Sequence, residues 1–99
     1  MVRPRKPRCL CATAPCSLFK PNGIPARDLP RQRLTAEEFE AISLVDAQGL
    51  NQLQAAERMG VSRQTLGNAL GRARRKIAEA ITRGHAIELP SEFEGVSPQ

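Results

Sequence analysis

GVSRQTLGNALGRARRK, residues 60–76, opens on a turn residue and closes on a basic cluster. Between the two it reads as a helix, yet Gly67 and Gly71 fall at interior positions of that helix. Each glycine should cost ~1 kcal/mol relative to alanine. A sequence that keeps both, and then runs into Arg72, Arg74, Arg75 and Lys76, raises the question of what the bare face of this helix meets.

Reading outward, Ser62 is a helix N-cap, and the helix it opens runs from Arg63 to about Arg83, stopped by Gly84. Leu66, Ala69, Leu70, Ala73, Ile77, Ala80 and Ile81 form its apolar stripe. A shorter helix precedes it. Asn51 caps that helix, Gln54 completes the capping pair, and Leu53, Ala56 and Met59 with Ala55 supply its expected buried face. Gly60 permits a positive φ in the turn, and Val61 points inward. One helix earlier, TAEEFEAISLVDAQGL (35–50) starts on a capping box, Thr35 with Glu38, and stops at Gly49. Phe39, Ile42 and Val45 or Asp46 follow at helical spacing, with Leu44 widening the stripe. Glu37, Glu38 and Glu40 read as first-turn acids favoured by the helix dipole.

Two short helices joined by a tight glycine turn make a helix-turn-helix. Ala56 is small where two helix axes cross, and Val61 and Leu66 fill the wedge between them. In this geometry the second helix of the pair enters the major groove of DNA with its N-terminal residues toward the base edges. The outward positions are Arg63, Gln64, Gly67, Asn68 and Gly71. Arginine pairs with guanine, and glutamine or asparagine with adenine. Ser62 offers a hydroxyl and free amides to a phosphate. Gly67 and Gly71, four apart, share the face opposite Leu66, Ala69 and Leu70. Glycine there lets the helix axis approach the groove floor, and Arg72, Arg74, Arg75 and Lys76 are expected to reach phosphates on its wall.

Charge agrees with such a partner. The chain has 99 residues, 15 Lys and Arg against 10 Asp and Glu, and a formal net charge of +5. A small domain this basic suits nucleic acid. The charge is polarised: Arg3, Arg5, Lys6, Arg8, Lys20, Arg27, Arg31 and Arg33 precede the helices, whereas the tail after Gly84 carries Glu88, Glu92 and Glu94 without a cation. MVRPRKPR (1–8) has the composition of an arm that enters the minor groove beside a docked helix, through Arg3 and Arg5 among others. The expected organisation is a basic, Pro-rich arm and irregular segment over 1–33, a helical domain over 34–84, and a short strand, HAIEL, with a polar tail over 85–99. A core of some 50–60 residues is marginal alone, so a docked terminal segment or a second copy of the chain is expected to complete it.

Cys9, Cys11 and Cys16 (C-x-C-x4-C) with His85 are a weak metal candidate, because zinc sites are usually built from C-x2–4-C pairs. The reading favours no metal and no cofactor. With one histidine, no phosphate-cradling glycine loop and no convergent carboxylate pair, it also favours a non-enzyme. No apolar run of ~18 residues suggests a membrane span, and the expected location is the cytoplasm.

LTAEEFEAISLVDAQGLNQLQAAERMGVSRQTLGNALGRARRKI, from Leu34 to Ile77, resembles region 4 of bacterial primary sigma factors. Across nearly the whole chain, RPRKPRC, FKPNGIP, LTAEEFEAISLVDAQGL and the closing G-x-A-I-E-L resemble a small uncharacterised prokaryotic family, a domain of unknown function predicted to bind DNA. The chain departs from that family at Gly67 and Gly71, where bulkier or polar residues are usual, and in having three N-terminal cysteines rather than one. The resemblance implies a mostly α fold, a three-helix helix-turn-helix domain with an irregular N-terminal segment and a short C-terminal strand. It implies double-stranded DNA as partner and a role in transcription regulation. RNA polymerase, or a second copy in a homodimer, is the further partner such a fold suggests. Two alternatives stand beside DNA reading: a protein-interaction module of the transcription machinery, and a metal- or thiol-responsive regulator using Cys9, Cys11 and Cys16.

Overall fold

The computed structural model describes residues 17–90; Arg3, Arg5, Cys9, Cys11 and Cys16 lie outside them. Within that span the chain forms β1 (Leu18–Phe19), a 3-10 turn (Ala26–Asp28), β2 (Arg31–Arg33), α1 (Ala36–Ile42), α2 (Gln52–Met59), α3 (Arg63–Arg83) and β3 (Ala86–Glu88). The architecture is mostly helical with one small sheet.

The expected caps form as read. Thr35 Oγ1 accepts from the Glu38 amide at 3.2 Å, and Glu38 Oε1 accepts from the Thr35 amide at 3.0 Å. Asn51 and Gln54 close the same reciprocal pair at 2.8 and 3.0 Å. Ser62 Oγ accepts from the Thr65 amide at 3.0 Å. The first helix differs from expectation at its end. After Ile42 it widens into a π-helical turn, Ser43–Ala47, before Gly49 turns at φ 85°.

Between α2 and α3, Gly60 takes φ 73° and ψ 32°. Its amide donates to Glu57 O, and the Val61 amide reaches back to Ala56 O at 3.0 Å. That pair of bonds satisfies the last carbonyls of α2 and needs a left-handed residue where Gly60 stands. Val61 then packs against a core of Ala41, Leu44, Ala55, Ala56, Met59, Leu66, Ala69 and Leu70. Burying Leu66 or Met59 stabilises by roughly 1.5–3 kcal/mol each.

Two apolar residues of the expected stripes are not buried. Leu53 is 58% exposed. The reading i, i+3, i+6 from Leu53 through Ala56 to Met59 drifts by about 60° per step on a 3.6-residue helix, which carries Leu53 off the face that holds Ala55, Ala56 and Met59. Ile81 is 73% exposed and belongs to neither buried cluster. It borders an open depression of about 230 Å³ with Phe19, Pro21 and Ile87.

The sheet is larger than the single C-terminal strand expected. β3 is its central strand, antiparallel to β1 and parallel to β2. The segment before the helices, expected to be irregular but for short extended pieces near Cys9–Ala12 and Leu18–Lys20, contributes β1 on the second of these and also β2, which was not expected; Cys9–Ala12 lies outside the described residues. Pro30 O and Ser17 O accept from the Ala86 and Leu89 amides, and Glu88 O accepts from the Leu34 amide. Leu34, Ala73 and Leu89, with Phe39, Ile42, Ile77 and Ile87 against them, form a second cluster where sheet and α3 meet. The sheet thus supplies the docked segment that so small a helical core needs.

Candidate nucleic-acid interface

The first half of α3 presents two opposed faces. Leu66, Ala69, Leu70 and Ala73 are buried. Gln64, Asn68, Gly71 and Arg75 recur at spacings of four, three and four, so they make one outward row. All four are exposed. Gly67 is half-buried on the flank of that row, and Arg63 is exposed at the first turn. Arg63, Gln64, Gly67 and Asn68 line an open depression of about 400 Å³. Its remaining wall is Gln52, the first residue of α2, which the sequence reading passed over.

The two glycines are not required by the fold. Neither has the positive φ that marks Gly49, Gly60 and Gly84. A Cβ on Gly71 would meet nothing within 4 Å, and one on Gly67 would meet only Gln52 Oε1 at 3.5 Å, an ordinary contact. Each still weakens the helix by ~0.5–1 kcal/mol relative to alanine. Ser62 is committed to the α3 cap, where its hydroxyl also donates to Thr65 Oγ1 at 3.0 Å.

The basic run behaves differently from expectation. Arg72 Nε donates to Glu38 Oε2 at 2.8 Å, and Lys76 Nζ donates to Glu38 Oε1 and Arg33 O at 2.7 and 2.6 Å. Arg74 holds Asp46 through two bonds of 2.9 and 2.7 Å. Only Arg75, 81% exposed, has no tighter carboxylate contact than Glu79 one turn on, at 3.6 Å. Of the four cations expected to reach phosphates, Arg72, Arg74 and Lys76 thus already hold partners inside the protein, tying α3 to α1, to the π-helical turn after it and to β2. The cause lies in the acids. Glu38 and Glu40 are not solvated first-turn acids but are 2% and 1% exposed. Burial alone would raise the Glu38 pKa. The hydrogen bonds from Lys76, the Thr35 amide and Arg72 outweigh it and hold the carboxyl below its ordinary value. The hydrogen bonds from Arg74 likewise hold Asp46 low, against a smaller cost of burial.

His85 follows the Gly84 stop and is half-buried, with Nδ1 3.0 Å from Gln32 Nε2. Gln32 Nε2 also donates to Glu79 Oε1 at 3.3 Å. Among the described residues no group of His, Cys, Asp and Glu is placed to hold a metal ion. No helix among them is long and apolar enough to cross a membrane.

Comparison with known proteins places this chain in a family. Residues 1–92 match the model described as "Protein of unknown function DUF134". A UPF0251 protein of Shewanella sediminis is 60% identical over 92 residues, covering 93% of this chain and 96% of that one. Another, from Vibrio vulnificus, is 51% identical over 94 residues, covering 95% and 94%. No solved structure matches the chain. The chain belongs to the DUF134 family.

Proposed function

We propose that this chain binds double-stranded DNA in a sequence-specific way and acts as a small, non-catalytic transcriptional regulator in the cytoplasm. In this reading α2, the Gly60 turn and α3 are a helix-turn-helix of the sigma region 4 kind, with α3 as the recognition helix. One observation carries the reading. Gly71 sits in the exposed row of α3 at a measurable cost in helix stability, with no positive φ and no neighbour that a methyl group would strike. The cost is explained by a partner that approaches the helix backbone closely, and the groove floor is such a partner.

The side chains around Gly71 suit that partner. Arg63 supplies the fork that matches guanine, and Gln64 and Asn68 supply carboxamides that match adenine. Arg75 continues the same row and meets a phosphate. Arg72, Arg74 and Lys76 serve mainly to fix the pose of α3. The test is selection from a random duplex library, followed by affinities on the selected and scrambled sequences. The reading expects a common motif, with Arg63→Ala losing affinity on that motif more than on scrambled DNA. Absence of any enriched motif contradicts it.

A second reading has its own observation. Leu53 on α2 and Ile81 on α3 are large apolar side chains left exposed. They favour a protein-interaction module of the transcription machinery, with RNA polymerase or a second copy of the chain as partner. Salt-insensitive, sequence-blind behaviour toward DNA would move the weight to it.

A further inference from the structure

We propose that Gln52 is a specificity-determining residue of the same interface, so that DNA is read by α2 and α3 together. The inference rests on the DNA-binding reading above and adds a residue that neither the helix-turn-helix pattern nor the basic run points to.

The notch left by Gly67 carries the argument. Gln52 Oε1 lies 3.5 Å from the place a Gly67 Cβ would occupy, so the Gln52 carboxamide lies beside the bare face that Gly67 leaves on α3. A side chain longer than alanine at position 67 would take that seat. The two glycines of α3 thus differ: Gly71 faces open space, whereas Gly67 has a side chain from another helix beside it, which any residue larger than alanine there would displace. Seated there, Gln52 shares one open depression with Arg63, Gln64 and Asn68. Among the described residues, none of these four side chains makes a hydrogen bond or ion pair within the protein.

Three carboxamides, each with two donors and an acceptor, and one guanidinium converge on a patch with all their polar capacity unspent. This is the donor and acceptor inventory that reads major-groove edges, where a carboxamide takes adenine N6 and N7 and a guanidinium takes guanine O6 and N7. A purely phosphate-binding patch would be cationic instead. Gln52 is also placed by two rigid features rather than by a mobile loop: the Asn51–Gln54 capping box fixes the α2 N-terminus, and the Gly60 turn fixes α2 on α3.

The experiment compares wild type, Gln52→Ala, Gln52→Glu and Gly67→Met by random duplex-library selection. It then measures affinities on the wild-type motif and on scrambled duplex, with melting temperature as the folding control. Gln52→Ala should lose ~5- to 150-fold on the motif, the range of one base contact, and relax the preference at one base-pair position. Its loss on scrambled duplex should be much smaller. Gln52→Glu keeps the shape and suits a helix N-terminus, but a carboxylate cannot donate to the adenine acceptor, so it should change the preferred base. Gly67→Met should mimic Gln52→Ala in the selected motif, because it evicts the carboxamide. Equal losses on motif and scrambled DNA would make Gln52 a phosphate contact and overturn the inference. An unchanged motif in all three variants would overturn it while leaving the DNA-binding reading intact. Failure of the wild type to select any motif would overturn both.

Discussion

Arg72 Nε meets Glu38 Oε2 at 2.8 Å, joining the basic cluster of α3 to the capping glutamate of α1. Glu38 therefore does two jobs. It closes the Thr35 capping box and gathers two cations of α3, Arg72 and Lys76, 34 and 38 residues later in the chain. Its side chain is 2% exposed, whereas Arg72 and Lys76 are 54% and 29% exposed. The charge cost falls mainly on the carboxylate, and both cations keep part of their hydration.

This arrangement predicts an acid-sensitive staple. The Glu38 pKa is lowered in the folded state, as its hydrogen bonds from Lys76, Thr35 and Arg72 overcome burial. A lowered carboxyl contributes stability above its unfolded value, about 4.3, and loses it as pH falls through the folded value. Glu38→Gln should cost about 1.5–3 kcal/mol at pH 7, the scale of hydrogen bonds to charged groups. It should also flatten the fall in stability on acidification below about pH 4.3. Thermal melts of both proteins from pH 7 to pH 3 check this; parallel acid profiles would show that Glu38 is not the group responsible.

Gly71→Ala separates fold from function. The position is helical, exposed and unobstructed, so alanine should stabilise the protein by ~0.4–1 kcal/mol. The same methyl group should weaken duplex binding ~5-fold or more, about 1 kcal/mol. Melting curves and anisotropy titrations on one preparation give both numbers. A stabilised variant with unchanged affinity would mean that nothing approaches this face closely.

Leu66 and Leu53 make a paired test of the packing. Leu66 is fully buried in the wedge between α2 and α3, whereas Leu53 is 58% exposed. Leu66→Ala should cost ~2–5 kcal/mol, and Leu53→Ala less than ~0.5 kcal/mol. Denaturant unfolding of the two variants reads the difference. A large cost at Leu53 would place it in an interface between copies.

Much of this was legible in the sequence, and the misses have physical causes. Capping signals are local, so Thr35, Asn51, Ser62, Gly60 and Gly84 set the helix boundaries without help from tertiary contacts. Leu53 departs from the expected face of α2 because a strict three-residue spacing drifts around a short helix. The sheet was half hidden because β1 and β2 are two and three residues long and draw their hydrogen bonds from β3, more than fifty residues away. At the site, the exposed row of Gln64, Asn68 and Gly71 follows from helical periodicity alone. What periodicity could not supply was the pairing of the basic run. Glu38 and Asp46 look like ordinary surface acids until the packing of α1 on α3 brings them to Arg72, Lys76 and Arg74. Gln52 was missed for the same reason, its importance depending on where α2 crosses α3. Its one local signal was its place beside the Asn51 cap.

The division of labour in the basic run predicts unequal salt behaviour. Arg75→Ala should reduce the slope of log affinity on log salt by up to ~0.9, the value for one phosphate contact, with little change in melting temperature. Arg74→Ala should lower the melting temperature slightly, because it removes an exposed ion pair with Asp46, and leave the slope nearly unchanged. Affinities at four or five salt concentrations distinguish the two. The reverse pattern would assign Arg74 to DNA and Arg75 to structure.

The most direct test of the central claim is a map of backbone amide shifts in ¹⁵N-labelled protein titrated with the selected duplex. The account predicts perturbations concentrated at Gln52, Arg63, Gln64, Gly67, Asn68, Gly71 and Arg75. Phe19, Ile81 and Ile87, at the other end of α3, should stay still. Shifts confined to that far end, or none at saturating duplex, would contradict the claim that the α2–α3 face reads DNA.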